Sequence, residues 1–92
     1  MALLPQSDIL AFTGNHPKWS WADDEISRTF EFDDFAQALA FVNEVGASAE
    51  EAGHHPDIDI RWNKVTLTLS THSEGGLTEK DLMLAEEIDG LV

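Results

Sequence analysis

Three of the four histidines in this 92-residue chain fall at His54, His55 and His72. Imidazole titrates near neutrality, so such a ring can either give or take a proton under ordinary conditions. Two of them held over one substrate can act as acid and base in a single turnover, each typically worth about 10²–10⁴-fold. Pro56 restricts His55 to an extended backbone, which helps to hold its ring. Taken singly, each histidine is explained by a local hydrogen bond at a loop end; three together point to acid–base work. The rival is a three-histidine zinc site. Neighbouring extended residues point apart, so His54 and His55 would chelate one ion awkwardly, and we expect no metal. His16, within Asn15-His16-Pro17, reads as a structural turn residue.

Two carboxylates lie near this set in sequence. Asp81 follows Thr78 by three residues, and Thr-x-x-Asp before an apolar run is a capping-box variant. Glu50 lies on the last turn of the preceding helix, where a solvated role is the plain explanation. Ser73-Glu74-Gly75-Gly76 beside His72 is a flexible loop whose glycines could admit a ligand or simply make the turn.

The elements that must position these residues follow from periodicity. Pro5 suits the first turn of a short helix carrying Ile9, Leu10 and Phe12, stopped at Gly14. Lys18 to Trp21 alternates as a strand, and Ala22-Asp23-Asp24 is a turn. Ile26, Arg28, Phe30 and Phe32 alternate with polar residues, so a half-buried strand follows, with Arg28 near an edge or an acidic partner. Asp33 or Asp34 can cap the next helix, whose apolar stripe is Phe35, Leu39, Val42, Val45, Ala49 and Ala52, with Gly53 ending it. The last helix starts at Thr78 and carries Leu82, Ala85, Ile88 and Leu91.

Between the long helix and the last one lies a hairpin, Asp57 to Thr71. A turn at Asn63-Lys64 sets Trp62 opposite Val65, Ile60 opposite Leu67 and Ile58 opposite Leu69, with polar residues matched on the other face. Continued outward, this register brings His55 opposite His72. The element order αββαββα predicts an α+β fold, a four-stranded antiparallel sheet with helices packed on one face.

Composition sets the outer limits. The chain has the length of one domain, 1–92, small enough that association would usefully bury more surface. A net charge of −13 repels phosphate backbones and anionic headgroups, so neither nucleic acid nor membrane is an expected partner. There are no cysteines, which removes disulfides, thiolate metal sites and a cysteine nucleophile. The N-terminus lacks a basic region and a long apolar run, so the expected location is the cytoplasm.

The string Glu50-x3-His54-His55-Pro56-x5-Trp62-x9-His72-x8-Asp81 resembles the motif of the pterin-4a-carbinolamine dehydratases. Asn63 to His72 is similar to that family's strand before its last histidine, and Trp19, Ile26, Arg28, Phe30, Phe32 and Phe35 follow its hydrophobic pattern. One departure is Ile58, where animal members carry a tryptophan that contacts substrate. The resemblance implies a hydro-lyase that dehydrates 4a-hydroxytetrahydrobiopterin to quinonoid dihydrobiopterin in tetrahydrobiopterin recycling, without cofactor. It also implies a homodimer or homotetramer. His54 and His72 would be the acid and base. His55, Glu50, Asp81 and Trp62 would belong to the substrate site, with Asp81 orienting a histidine or the ring. Members of the family also serve as non-catalytic dimerisation or assembly cofactors, which is the alternative function.

Overall fold

The computed structural model describes residues 2–92. Helix α1 (Gln6–Asn15) leads into strands β1 (Ser20–Ala22) and β2 (Glu25–Glu31). Helix α2 (Phe35–Ala52) is followed by β3 (Asp57–Arg61) and β4 (Lys64–Leu69), and a single 3₁₀ turn (His72–Glu74) precedes α3 (Glu79–Asp89). The strands form one antiparallel sheet in the order β1-β2-β4-β3. The expected α+β fold is thus the observed one.

Local chemistry sets the element ends. Pro5 stands just outside α1, as its N-cap, rather than inside the first turn. Of the two candidate caps for α2, Asp34 acts, its Oδ1 accepting the Gln37 N–H at 2.9 Å. Gly53 ends α2 at φ 65°, in the left-handed region that favours glycine.

Alternation divides the sheet into two faces. Ile26, Arg28 and Phe30 of β2 lie opposite Leu69, Leu67 and Val65 of β4, which in turn faces Ile58 and Ile60 of β3. This face meets all three helices in one core built from Ile9, Phe12, Ala38, Phe41, Val45, Leu84, Ala85 and Ile88. The other face carries Ser27, Thr29 and Glu31, Lys64, Thr66 and Thr68, and Asp57, Asp59 and Arg61. All helices therefore pack on one side.

Arg28 interrupts the apolar row, and its partner is acidic. Its Nη1 donates to Asp89 Oδ1 at 2.6 Å, and its guanidinium lies 4.1 Å from the centroid of the Phe30 ring. Trp19 Nε1 reaches both Asp89 oxygens at 3.0 Å.

Other expectations need correction. Helix α1 runs through Gly14 to Asn15, and its Leu10 is exposed. On α2 the buried residues are Ala38, Phe41, Val45 and Ala49, while Phe35 and Leu39 are exposed. The helix is rotated because Phe41 packs on Phe30 and Phe32, at centroid distances of 4.7 and 5.0 Å. On α3 it is Leu84, with Ala85 and Ile88, that is buried, whereas Leu82 is half-buried. The hairpin turn is Trp62-Asn63, not Asn63-Lys64, so Ile60 faces Val65 and Ile58 faces Leu67. Asn63 is held by β2: its Nδ2 donates to the Phe32 carbonyl at 2.9 Å and its carbonyl accepts the Phe32 N–H at 2.9 Å. Trp62 takes the positive φ of 49° instead. The pairing is displaced by two residues, which keeps both faces matched but does not set His55 opposite His72.

Candidate active site

Two chain reversals bring the candidate residues together. At the end of α2, Gly53 N–H bonds to the Glu50 carbonyl at 3.2 Å and His54 N–H to the Ala49 carbonyl at 3.1 Å. His54 is therefore fixed to the last helical turn before Pro56 leads into β3. At the end of β4, Thr71 pairs with Gly76, its N–H donating to the Gly76 carbonyl at 2.8 Å. That bridge closes the loop around His72–Glu74, and Gly75 turns it at φ 76°. The glycines here make a tight turn. Thr78 then caps α3 and places Asp81 in its first turn.

Asp81 is the hub. Its side chain is 0% exposed and that of His54 only 11%, and His54 Nε2 lies 2.5 Å from Asp81 Oδ1. The other oxygen, Oδ2, accepts the Thr78 N–H at 2.9 Å and the Thr71 hydroxyl at 2.8 Å. The Thr71 and Thr78 hydroxyls are themselves 2.8 Å apart. A carboxylate with no solvent contact needs such donors, because an unpaired buried charge is very costly. Asp81 thus makes the capping-box bond and holds a histidine with the same side chain.

The remaining residues are disposed differently. His55 Nε2 lies 2.5 Å from Glu50 Oε2, but both side chains are exposed, at 61% and 78%. His72 begins the 3₁₀ turn directly after Thr71 and is exposed. Trp62 is 64% exposed in the hairpin turn. It sits at the far end of β3 from His55, roughly 20 Å away along an extended strand. Asp81 joins His54 to Thr71, the residue before His72, and Trp62 of the same chain is not part of that set. Among the described residues, no three His, Asp or Glu side chains are placed to hold a metal ion.

Sequence reasoning passed over Thr71. Val65, Leu67 and Leu69 form the inward row of β4, and Thr71 continues that row at 8% exposure. A hydroxyl on a buried row requires a partner, and this was the available signal.

A cavity of about 260 Å³ adjoins the cluster, lined by Ala52, His54, Lys80, Met83, Leu84 and Glu87. It opens between α2 and α3 and touches the set through His54.

Comparison with known proteins places this arrangement in context. The family model described as pterin 4 alpha carbinolamine dehydratase matches residues 2–91. A Nocardia farcinica protein provisionally named pterin-4-alpha-carbinolamine dehydratase is 53% identical over 89 residues, covering 97% of this chain and 94% of that protein. A Roseiflexus castenholzii protein with the same provisional name is 52% identical over 91 residues, covering 99% and 98%. Among solved structures, a transcriptional coactivator/pterin dehydratase from Brucella melitensis superposes with a TM-score of 0.91 at 33% identity, covering 97% of each chain. A pterin dehydratase-like protein described as a RuBisCO assembly factor in the alpha-carboxysome gives 0.66 at 28% identity, covering 79% of this chain and 84% of that one. With the match running from residue 2 to residue 91 and through the buried Asp81–His54 pair, the chain belongs to the pterin 4 alpha carbinolamine dehydratase family.

Proposed function

We propose that this protein dehydrates 4a-hydroxytetrahydropterins, the 4a-hydroxytetrahydrobiopterin of tetrahydrobiopterin recycling among them, to the quinonoid dihydropterin. The observation that carries the proposal is a buried, carboxylate-held imidazole, His54, which precedes the exposed His55 in sequence and is joined through Asp81 to Thr71, the residue before the exposed His72. In the reaction the C4a–O bond breaks, N5 loses its proton and the new double bond forms between N5 and C4a. Water leaves, so no oxidant, reductant or cofactor is consumed. One imidazole protonates the departing hydroxyl and another takes the N5 proton, and solvent exchange restores both.

His54 and His72 fill these two roles, with Asp81 orienting His54. His55, steadied by Glu50, binds the pterin. Trp62 can reach such a site only from a neighbouring copy. No helix among the described residues is long and apolar enough to cross a membrane, and we assign the activity to the cytoplasm. Turnover of enzymatically generated 4a-hydroxytetrahydrobiopterin is the direct test: a rate no higher than that in buffer would overturn the proposal.

The second reading is a binding module. Its support is that one structural relative is described as a coactivator/dehydratase and another as an assembly factor. Under it, alanine at all three histidines would leave the cellular role intact.

A further inference from the structure

We propose that the Thr71 hydroxyl is a positioning group which, through Asp81, commits His54 to exchange protons at Nδ1 rather than Nε2. With Asp81 as the carboxylate, the hydrogen-bond directions around it permit one arrangement. Oδ2 receives the Thr78 N–H and the Thr71 O–H. Since the Thr71 proton points at the carboxylate, the 2.8 Å contact between the two hydroxyls must be made by the Thr78 proton, with Thr71 accepting. Oδ2 is thereby saturated, and among the described residues Oδ1 has one hydrogen-bond partner, His54 Nε2 at 2.5 Å.

The proton of the His54–Asp81 bond lies on the Nε2–Oδ1 axis, and Asp81 is 0% exposed, so no substrate reaches that nitrogen. In the neutral ring Nε2 donates to Oδ1, which leaves the lone pair on Nδ1. The ring retains 11% exposure, and among the described residues Nδ1 has no hydrogen-bond partner. Nδ1 is the atom available to a ligand. Without the Thr71 hydroxyl, Oδ2 keeps one donor, and the carboxylate can rotate to share its oxygens differently between Thr78 and His54. The ring is then free to exchange tautomers and orientation. Thr71 touches neither substrate nor His54 in this scheme; it acts through Asp81.

The tautomer can be read on the folded protein without any assay, whereas the effect on turnover rests on the dehydratase proposal. Long-range ¹H–¹⁵N spectra of ¹⁵N-histidine-labelled protein distinguish the two neutral forms. For wild type the His54 spectrum is expected to show a protonated Nε2 and an unprotonated Nδ1. Thr71→Val keeps the side-chain shape and removes the hydroxyl; it should mix the tautomers and lower kcat by about 10- to 100-fold, part of what a positioned acid–base group supplies. KM should change less than about threefold, because Thr71 does not face the pterin. Thr71→Ser restores the hydroxyl and should restore both readouts. Should Thr71→Val fail to fold, Thr71→Ala is read in the same way. A wild-type neutral ring protonated on Nδ1 would overturn the proposal, as would a Thr71→Val protein with wild-type tautomer and kcat. Absent turnover in wild type would count against the dehydratase assignment alone, since the spectra still test the tautomer.

Discussion

Asp81 Oδ1 stands 2.5 Å from His54 Nε2 while Oδ2 of the same carboxylate closes the first turn of α3 on the Thr78 N–H. One side chain therefore links the end of α2 to the start of α3, and under the proposed reaction stability and chemistry share an atom group. Changes at Asp81 should register in both. Asp81→Ala removes the capping-box bond to the Thr78 N–H, worth about 1 kcal/mol, and takes the carboxylate partner from the Thr71 hydroxyl and the His54 ring. A total loss of roughly 2–4 kcal/mol follows, measurable by urea unfolding.

The three histidines should separate by readout. His54→Ala and His72→Ala are expected to lower kcat by about 10–10⁴-fold, and His55→Ala to act mainly on KM. Stability discriminates them further. His54→Ala leaves a fully buried carboxylate oxygen without its partner and should cost about 1–3 kcal/mol. His55→Ala removes an exposed pair and should cost well under about 1 kcal/mol. Equal stability losses in the two variants, from thermal or urea unfolding, would contradict the burial contrast.

Much of this was legible in the sequence, for stated reasons. Alternation in β2 and β4 and the Thr78-x-x-Asp81 spacing report local geometry, and the folded chain keeps it. Tertiary choices were less visible. The α2 stripe could run through Leu39 or through Phe41, and packing on Phe30 and Phe32 decides for Phe41. The hairpin register was ambiguous because a shift of two residues preserves the side of every side chain. The contact that selects it, Asn63 to Phe32, comes from a strand far away in sequence. His54 and the His72 segment do converge, but through the shared contacts of Asp81 and Thr71 rather than across the ladder.

Arg28 and Asp89 offer a test of packing remote from the histidines. Their side chains are 13% and 22% exposed, and Asp89 also receives the Trp19 indole N–H. Asp89→Ala leaves a largely buried guanidinium and an indole donor unpaired, for an expected loss of about 3 kcal/mol. Arg28→Met removes the charge and keeps the Trp19–Asp89 bond, so it should cost clearly less. Turnover per folded molecule should be unchanged in both. A larger penalty for Arg28→Met than for Asp89→Ala in chemical denaturation would refute this view of the cluster.

The last prediction concerns Trp62 and assembly. An exposed tryptophan at φ 49° is a poor choice for a turn, since only glycine and a few polar residues take that region readily. Strain of this kind marks a position with another task. Trp62 directly follows β3, an edge strand of the sheet, whose Ile58 is 41% exposed. A second copy paired antiparallel along β3, with the two-fold axis at Ile60, is self-complementary. Asp59 meets the second copy's Arg61, Ile60 meets Ile60, and Ile58 meets Trp62, so opposite charges and apolar groups match at these positions. That arrangement would carry each Trp62 to the His55 end of the neighbouring β3. The chain of 10.2 kDa should therefore sediment as a dimer or larger at micromolar concentration. Arg61→Asp lines the edge with carboxylates and should yield monomer, while Asp59→Arg with Arg61→Asp exchanges the charges and should recover the dimer. Trp62→Gly relieves the turn, stabilising the isolated chain by about 0.5–1 kcal/mol, yet should weaken association and raise KM. A wild-type monomer in sedimentation, or an Arg61→Asp protein that remains dimeric, would remove β3 as the interface and Trp62 from the site.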